Sequence, residues 1–170
     1  MMKLSQLNLM DRGGFVAACG PMFEHSPWIA ERAWNARPFS SLTHLHETMC
    51  GIVADATSDE QLALIRAHPD LVGRLARKGK LTQQSTAEQS AAGLDALQPD
   101  EIAAFERYNQ AYRDTFGFPF VICARENKKI AILAVFPIRL QHARETEIAT
   151  ALSEIYKIAK LRLNDVASDV

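Results

Sequence analysis

The sequence predicts an all-α protein. Three observations carry this reading: helix-start residues with apolar spacings of three and four recur along the chain, no two neighbouring segments alternate strictly as a hairpin would, and the one compact apolar run without helical period, FPFVI, contains a proline. A chain of 170 residues suits one hydrophobic core and would be cramped as two. The expected architecture is therefore a single-domain bundle over residues 1–170, built from about eight or nine helices and the short FPFVI connector.

The elements follow in order. Ser26 and Pro27 suit the cap and first position of a short helix carrying Trp28, Ile29 and Ala33 and ending before Pro38. Ser41 opens a longer helix whose Leu42, Leu45, Met49 and Ile52 or Val53 form a stripe. Ser58 and Gln61 have capping-box spacing ahead of Leu62 and Ile65, and Pro69 closes that helix, leaving His68 at the break. Another short helix is expected from Asp70 through Leu71, Arg74 and Leu75, followed by the charged loop RKGK. Ser85 and Glu88 have the spacing of a second capping box, and Gly93 is placed to end that helix. Pro99 begins the next, whose Ile102, Phe105, Asn109, Tyr112 and Phe116 keep the helical period up to Gly117, a left-handed stop. FPFVI then reads as an extended buried connector. Two more helices are expected over about 128–140 and 143–164, the first broken or kinked near Pro137.

Composition narrows the function classes. With 48% apolar and 23% charged residues the chain has the balance of a soluble globular protein. Nineteen Lys plus Arg against twenty Asp plus Glu give a net charge of −1, so no overall basic field attracts a phosphate backbone, and no nucleic-acid partner is expected. Cys19, Cys50 and Cys123 are odd in number and form no CxxC, which argues against a disulfide framework or a zinc site and for a reducing cytoplasm. The start MMKLSQLNLMDRGG lacks the continuous apolar stretch of a secretory signal, and the final SDV is not a peroxisomal tripeptide. The uncharged stretches around Val16 and Ile132 fall short of the roughly 20 apolar residues a spanning helix needs, so no membrane role is expected.

Four polar residues stand out against this background. Arg162 follows Ile148, Leu152, Ile155 and Ala159 at spacings of four, three, four and three, which puts an arginine on an apolar stripe. Its bland explanation is a side chain that snorkels to water near a helix C-terminus. Arg139 has a similar claim after Ile132, Val135 and Phe136, and either guanidinium could fork onto an anionic substrate. His68 ends a helix against Pro69, in a position that can be rigid and half exposed, and a histidine can exchange protons near neutrality. A lone histidine is nevertheless more often structural. Glu88, three residues after Ser85, is explained by helix capping alone, although a helix N-terminus is also a natural anion site.

Other constellations fail. His44 and His46 point to different helix faces, and His25 and His142 have no partner motif. No HExxH, Gly-rich phosphate loop or GxSxG elbow occurs. On residues alone the choice lies between an enzyme built on these polar groups and a non-catalytic α-helical ligand-binding or interaction module.

Five motifs, FEHSPWIAERAWNARPF, LIRAHPDLVGRLA, LTQQSTAEQSAAGL, YRDTFGFPFVICAR and ALSEIYKIAKLRL, run in this order from Phe23 to Leu163. In them the chain resembles the 2-oxo-4-hydroxy-4-carboxy-5-ureidoimidazoline (OHCU) decarboxylase family. The resemblance implies an all-α, homodimeric, cofactor-free enzyme that forms (S)-allantoin and carbon dioxide in the last step from urate to allantoin. It implies that His68 of HPDL and Glu88 of SxxEQ are catalytic. It also implies that Pro69, Ser85, the run Phe118, Pro119, Phe120, Val121 and Ile122, and Arg162 in the tail bind substrate, and that no metal takes part. The tie between Arg162 and Arg139 is thereby resolved toward Arg162.

Overall fold

The computed structural model describes residues 1–73 and 81–170. Nine α-helices lie among the described residues: α1 Leu4–Leu9, α2 Arg12–Cys19, α3 Trp28–Ala33, α4 Leu42–Ala54, α5 Ser58–Ala67, α6 Gln83–Ala91, α7 Pro99–Phe116, α8 Lys129–Arg139 and α9 Arg144–Val166. Short 3-10 turns cover Gly20–Met22, Trp34–Ala36 and Ala124–Glu126, and the strand pair β1 Met2–Lys3 and β2 Ala167–Ser168 is parallel, with Met2 opposite Ala167. The all-α class is as the hydrophobic period dictates. No helix among the described residues is long and apolar enough to cross a membrane.

The chain divides into two compact units, the first formed by Met1–Ala67 with Tyr156–Val170 and the second by His68–Ile155. In the first unit α4 buries the expected stripe of Leu42, Leu45, Met49 and Val53, and the Ser41 hydroxyl caps it by accepting from the His44 amide at 3.0 Å. Asp11 caps α2 in the same way through the Gly14 amide at 2.7 Å. Asn8 exchanges two hydrogen bonds with the backbone of Phe39, 2.8 and 2.9 Å long, and so ties α1 to the start of α4.

The second unit is organised around α7. Gln98 and Glu101 box its N-terminus, Pro99 occupies its first turn, and Gly117 at φ +78° ends it in the left-handed conformation. Its buried residues Phe105, Asn109, Tyr112 and Phe116 are those the period singled out. Against them lies the connector, buried from Phe118 to Ala124 and without helix or strand pairing up to Cys123. The Phe120 ring stacks on Phe136 of α8 at 3.8 Å between centroids and meets Tyr112 edge-on at 5.3 Å.

Several local expectations are corrected. Ser26 does not cap α3; its hydroxyl donates to the Glu24 carbonyl at 3.0 Å, and the helix begins at Trp28. The box before α5 is Thr57 with Glu60, one residue earlier than expected, while the Gln61 amide donates to the carbonyls of Val53 and Ala54 at the end of α4. Helix α8 is not broken at Pro137 but runs through it to Arg139; the proline withdraws a single amide from the helix's hydrogen bonds. Of the short helix expected from Asp70 through Leu75 only the start is described, where the Gly73 amide donates to the Asp70 carbonyl at 3.2 Å; Arg74, Leu75 and the RKGK loop lie outside the described residues.

At Gly117 an added Cβ meets nothing within 4 Å, so Gly117→Ala isolates the cost of the left-handed backbone. The expected loss is about 1–2 kcal/mol, read as a lower urea midpoint at unchanged slope. Unchanged stability would show that the stop of α7 is not set by glycine.

Candidate active site

Helix α5 ends at Ala67 because a residue before proline is driven out of the helical region, and His68 takes that place. The residue is buried rather than half exposed, at 6%. The turn after it is held by three side chains of the second unit. Arg113 donates its Nε to both carboxylate oxygens of Asp70 at 2.9 and 3.0 Å, Asn109 donates to the Leu71 carbonyl at 2.8 Å, and the Val72 amide donates to Gln89 Oε1 at 3.0 Å. Asn109 and Arg113 stand four residues apart on one face of α7, so a single helix grips two successive residues of the HPDL motif. Val72 is at φ +56°, where a β-branched residue is strained, and the bond to Gln89 helps to hold it there.

Gln89 connects this turn to Glu88, its neighbour on α6. The cap of α6 is Thr82, whose hydroxyl accepts from the Ser85 amide at 3.2 Å. Ser85 and Glu88 are therefore not a capping box. Both lie inside the helix on its buried side, at 4% and 9% exposure, and helix capping does not account for Glu88. Lys128 anchors the other end of α6 by donating to the Ala91 carbonyl at 2.8 Å, where positive charge suits a helix C-terminus. α6 also packs on the 3-10 turn Ala124–Glu126 that follows the connector. Burial pushes the Cys123 thiol up to about 11, and the charges of Glu126, Glu154 and Glu88 act in the same direction. The second unit thus ties the turn after His68 to α6, and packs α6 on the 3-10 turn at the end of the connector.

Arg139 lies in the same unit. It is 4% exposed, and its guanidinium binds the fully buried Glu147 and the Val121 carbonyl. Arg162 belongs to the first unit. Its bland explanation falls: α9 continues to Val166, and the side chain is 4% exposed on the stripe with Ile155, Ala159 and Leu163. Its Nη1 pairs with Glu24 Oε2 at 2.9 Å and donates to the Pro21 carbonyl at 3.1 Å, so the head group is oriented by a buried carboxylate. Among the described residues no group of three or more His, Cys, Asp and Glu is placed to hold a metal ion.

Sequence reasoning missed Gln89, Glu24, Glu147 and Glu154. Glu147 carried a readable signal, since it precedes Ala151 and Ile155 at spacings of four and four, an acid on a buried stripe. Gln89 and Glu24 sat in quoted motifs, but their partners are set by tertiary contacts.

A sequence model of OHCU decarboxylase matches residues 8–164. The chain belongs to the OHCU decarboxylase family. It is 46% identical over 160 residues to a 2-oxo-4-hydroxy-4-carboxy-5-ureidoimidazoline decarboxylase of Haloferax volcanii, covering 94% of this chain and 93% of that protein. A protein of the same name from Halalkalicoccus jeotgali is 41% identical over 163 residues, covering 96% and 90%. The crystal structure of an (S)-allantoin synthase superposes with a TM-score of 0.78 at 28% identity, over 99% of this chain and 54% of that one.

Asn109→Ala tests the grip on the HPDL turn. It leaves the Leu71 carbonyl without its donor, and a loss of about 1–3 kcal/mol in urea unfolding is expected. A loss confined to a few tenths would mean that the turn stands without α7.

Proposed function

We propose that this chain decarboxylates OHCU to (S)-allantoin and carbon dioxide, with His68 and Glu88 as catalytic groups and Arg162 as a substrate anchor. The observation that carries this is the hydrogen bond from the Val72 amide to Gln89, which ties the turn that follows His68 to the helix that carries Glu88, both of them buried polar residues. Family membership weighs against the interaction-module alternative. The family match runs through both units, which supports treating residues 1–170 as one functional domain.

The substrate carries a carboxylate and a hydroxyl on C4, beside a C5=N imine. As the C4–carboxylate bond breaks and carbon dioxide leaves, its electron pair forms a C4=C5 bond and the imine nitrogen takes a proton. The enol then loses its hydroxyl proton to become the C4 carbonyl while C5 gains one, and delivery from a single face sets the (S) centre. Starting from the carboxylate, the reaction consumes one proton overall. The imine is the electron sink, so the chemistry calls for no pyridoxal, thiamine or metal.

In this scheme His68, with Pro69 fixing the backbone beside it, manages the proton of the C4 hydroxyl or carboxylate. Glu88, beside Ser85, accepts from ring or ureido N–H groups or supplies the C5 proton. Phe118, Pro119, Phe120, Val121 and Ile122 read the flat heterocycle through their backbone groups. Arg162 forks onto an anionic or carbonyl oxygen.

The proposed assembly is a homodimer. Helix α8 supports it by turning an uncharged face outward, with Ile130 and Ile138 exposed at 74% and 60% and Ala134 and Pro137 between them. Sedimentation of Ile138→Glu should give monomers. A monomeric parent protein would end the dimer proposal, and a persistent variant dimer would move the interface elsewhere. The proposed location is a reducing cytoplasm, supported by the three free cysteines and testable by cell fractionation.

The deciding experiment generates OHCU in place from urate with the two preceding enzymes and follows allantoin by circular dichroism, in the presence of a chelator. Rapid appearance of optically active product is expected; an unchanged rate with racemic product would sink the assignment. Folded His68→Asn should lose activity by about 10² to 10⁴, the scale of general acid–base catalysis. Glu88→Gln should lose more than about tenfold with little change in melting temperature, because Thr82 and not Glu88 caps α6 and the amide lacks the charge and half the acceptor capacity. Normal turnover by either variant would remove that residue from the mechanism.

A further inference from the structure

We infer that Arg139 and Glu154 are positioning residues that aim the two peptide groups of Ile122 at the substrate. This rests on the proposed pocket role of Phe118–Ile122. A buried segment without helix or sheet pairing must find other partners for its polar backbone. At Val121 the partner is Arg139, whose Nη1 donates to the carbonyl at 2.7 Å; at Cys123 it is Glu154, whose Oε2 accepts from the amide at 2.8 Å.

Peptide planarity carries the consequence one residue further. The Val121 carbonyl and the Ile122 amide belong to one trans peptide unit and point in opposite directions, as do the Ile122 carbonyl and the Cys123 amide. Fixing the Val121 oxygen on Arg139 therefore directs the Ile122 N–H away from Arg139. Fixing the Cys123 N–H on Glu154 directs the Ile122 carbonyl away from Glu154. Ile122 is 8% exposed, and among the described residues no protein group bonds to either of its backbone groups. The segment thus presents one donor and one acceptor on the same residue, a pattern that suits the N–H and C=O of a cyclic or ureido amide.

Charge strengthens the device. A cation on the Val121 carbonyl polarises that peptide and makes the Ile122 N–H a better donor, and an anion on the Cys123 N–H makes the Ile122 carbonyl a better acceptor. Arg139 is itself held. Its Nε donates to Glu147 Oε2 at 2.8 Å, its Nη2 lies 2.8 Å from the same oxygen, and its head group sits 4.3 Å from the Phe120 ring centroid. The Tyr112 hydroxyl donates to Glu147 Oε2, and burial, with the Glu147 hydrogen bond, keeps that hydroxyl protonated. His142 Nδ1 lies 2.7 Å from Glu147 Oε1. The fully buried carboxylate so collected keeps the guanidinium from turning off Val121.

Three variants test this. Arg139→Lys keeps a charge opposite Glu147 but has no fork to reach Val121 as well. Glu154→Gln keeps the length and an acceptor but drops the charge. Arg139→Met with Glu147→Leu and Tyr112→Phe replaces the buried cluster by apolar groups, a kind of exchange that cores often accept. KM for OHCU should rise by about three- to tenfold, the scale of one weakened hydrogen bond, with kcat changed less because His68 and Glu88 are untouched. In nuclear magnetic resonance spectra the Ile122 amide of ligand-free protein should shift in each variant. Folded variants with the parental KM and an unmoved Ile122 amide would overturn the inference. Parent protein inactive on OHCU would instead sink the functional reading, and the amide shift would still decide whether the two side chains orient the segment.

Discussion

A buried stretch of chain that lacks both helix and sheet imposes the governing constraint on the second unit. From Phe118 to Cys123 the peptides bring donors and acceptors into a buried setting of aromatic rings, where a group left unpaired is costly. Much of the surrounding architecture answers that demand. α8 supplies Arg139 to a carbonyl, α9 supplies Glu154 to an amide, and Asn127 bonds the Cys123 carbonyl at 2.9 Å. The rings of Tyr112, Phe116 and Phe136 give Phe118 and Phe120 their apolar contacts.

The same unit treats the HPDL turn in a related way. A left-handed valine is an unfavourable local structure, and three side chains from two helices hold it and the two residues before it. The strain at Val72 is thus kept in place by bonds to three successive residues, Asp70, Leu71 and Val72. The buried pairs Arg139–Glu147 and Arg162–Glu24 act in the same spirit. Apolar replacements of similar shape could match them in stability, so their value lies in the direction they impose on a guanidinium.

Much was legible from the chain alone. The stripe of α4, the course of α7 from Pro99 to the left-handed Gly117, and the break at His68 all follow from spacing, caps and proline geometry. Those are local properties, written in neighbouring residues. Charges on apolar stripes were visible too, at Arg139 and Arg162, and so was the burial of FPFVI. The caps of α5 and α6 were misread by one and three residues, because Ser58 and Ser85 compete with Thr57 and Thr82 for the same motif and only the backbone selects among them.

What the sequence by itself determined is therefore the class of fold, the order of its helices, the family and the short list of polar residues with no place on an apolar face. Tertiary structure alone decided what each of them does with its hydrogen bonds. It removed Glu88 from the cap of α6, assigned Glu147 and the Val121 carbonyl to Arg139, and assigned Glu24 to Arg162. The physical reason is range. A helical period acts over three or four residues, whereas these partners lie 18 and 138 residues away in the chain for Val121 and Glu24, and nothing in local spacing encodes a contact that exists only after the core has closed.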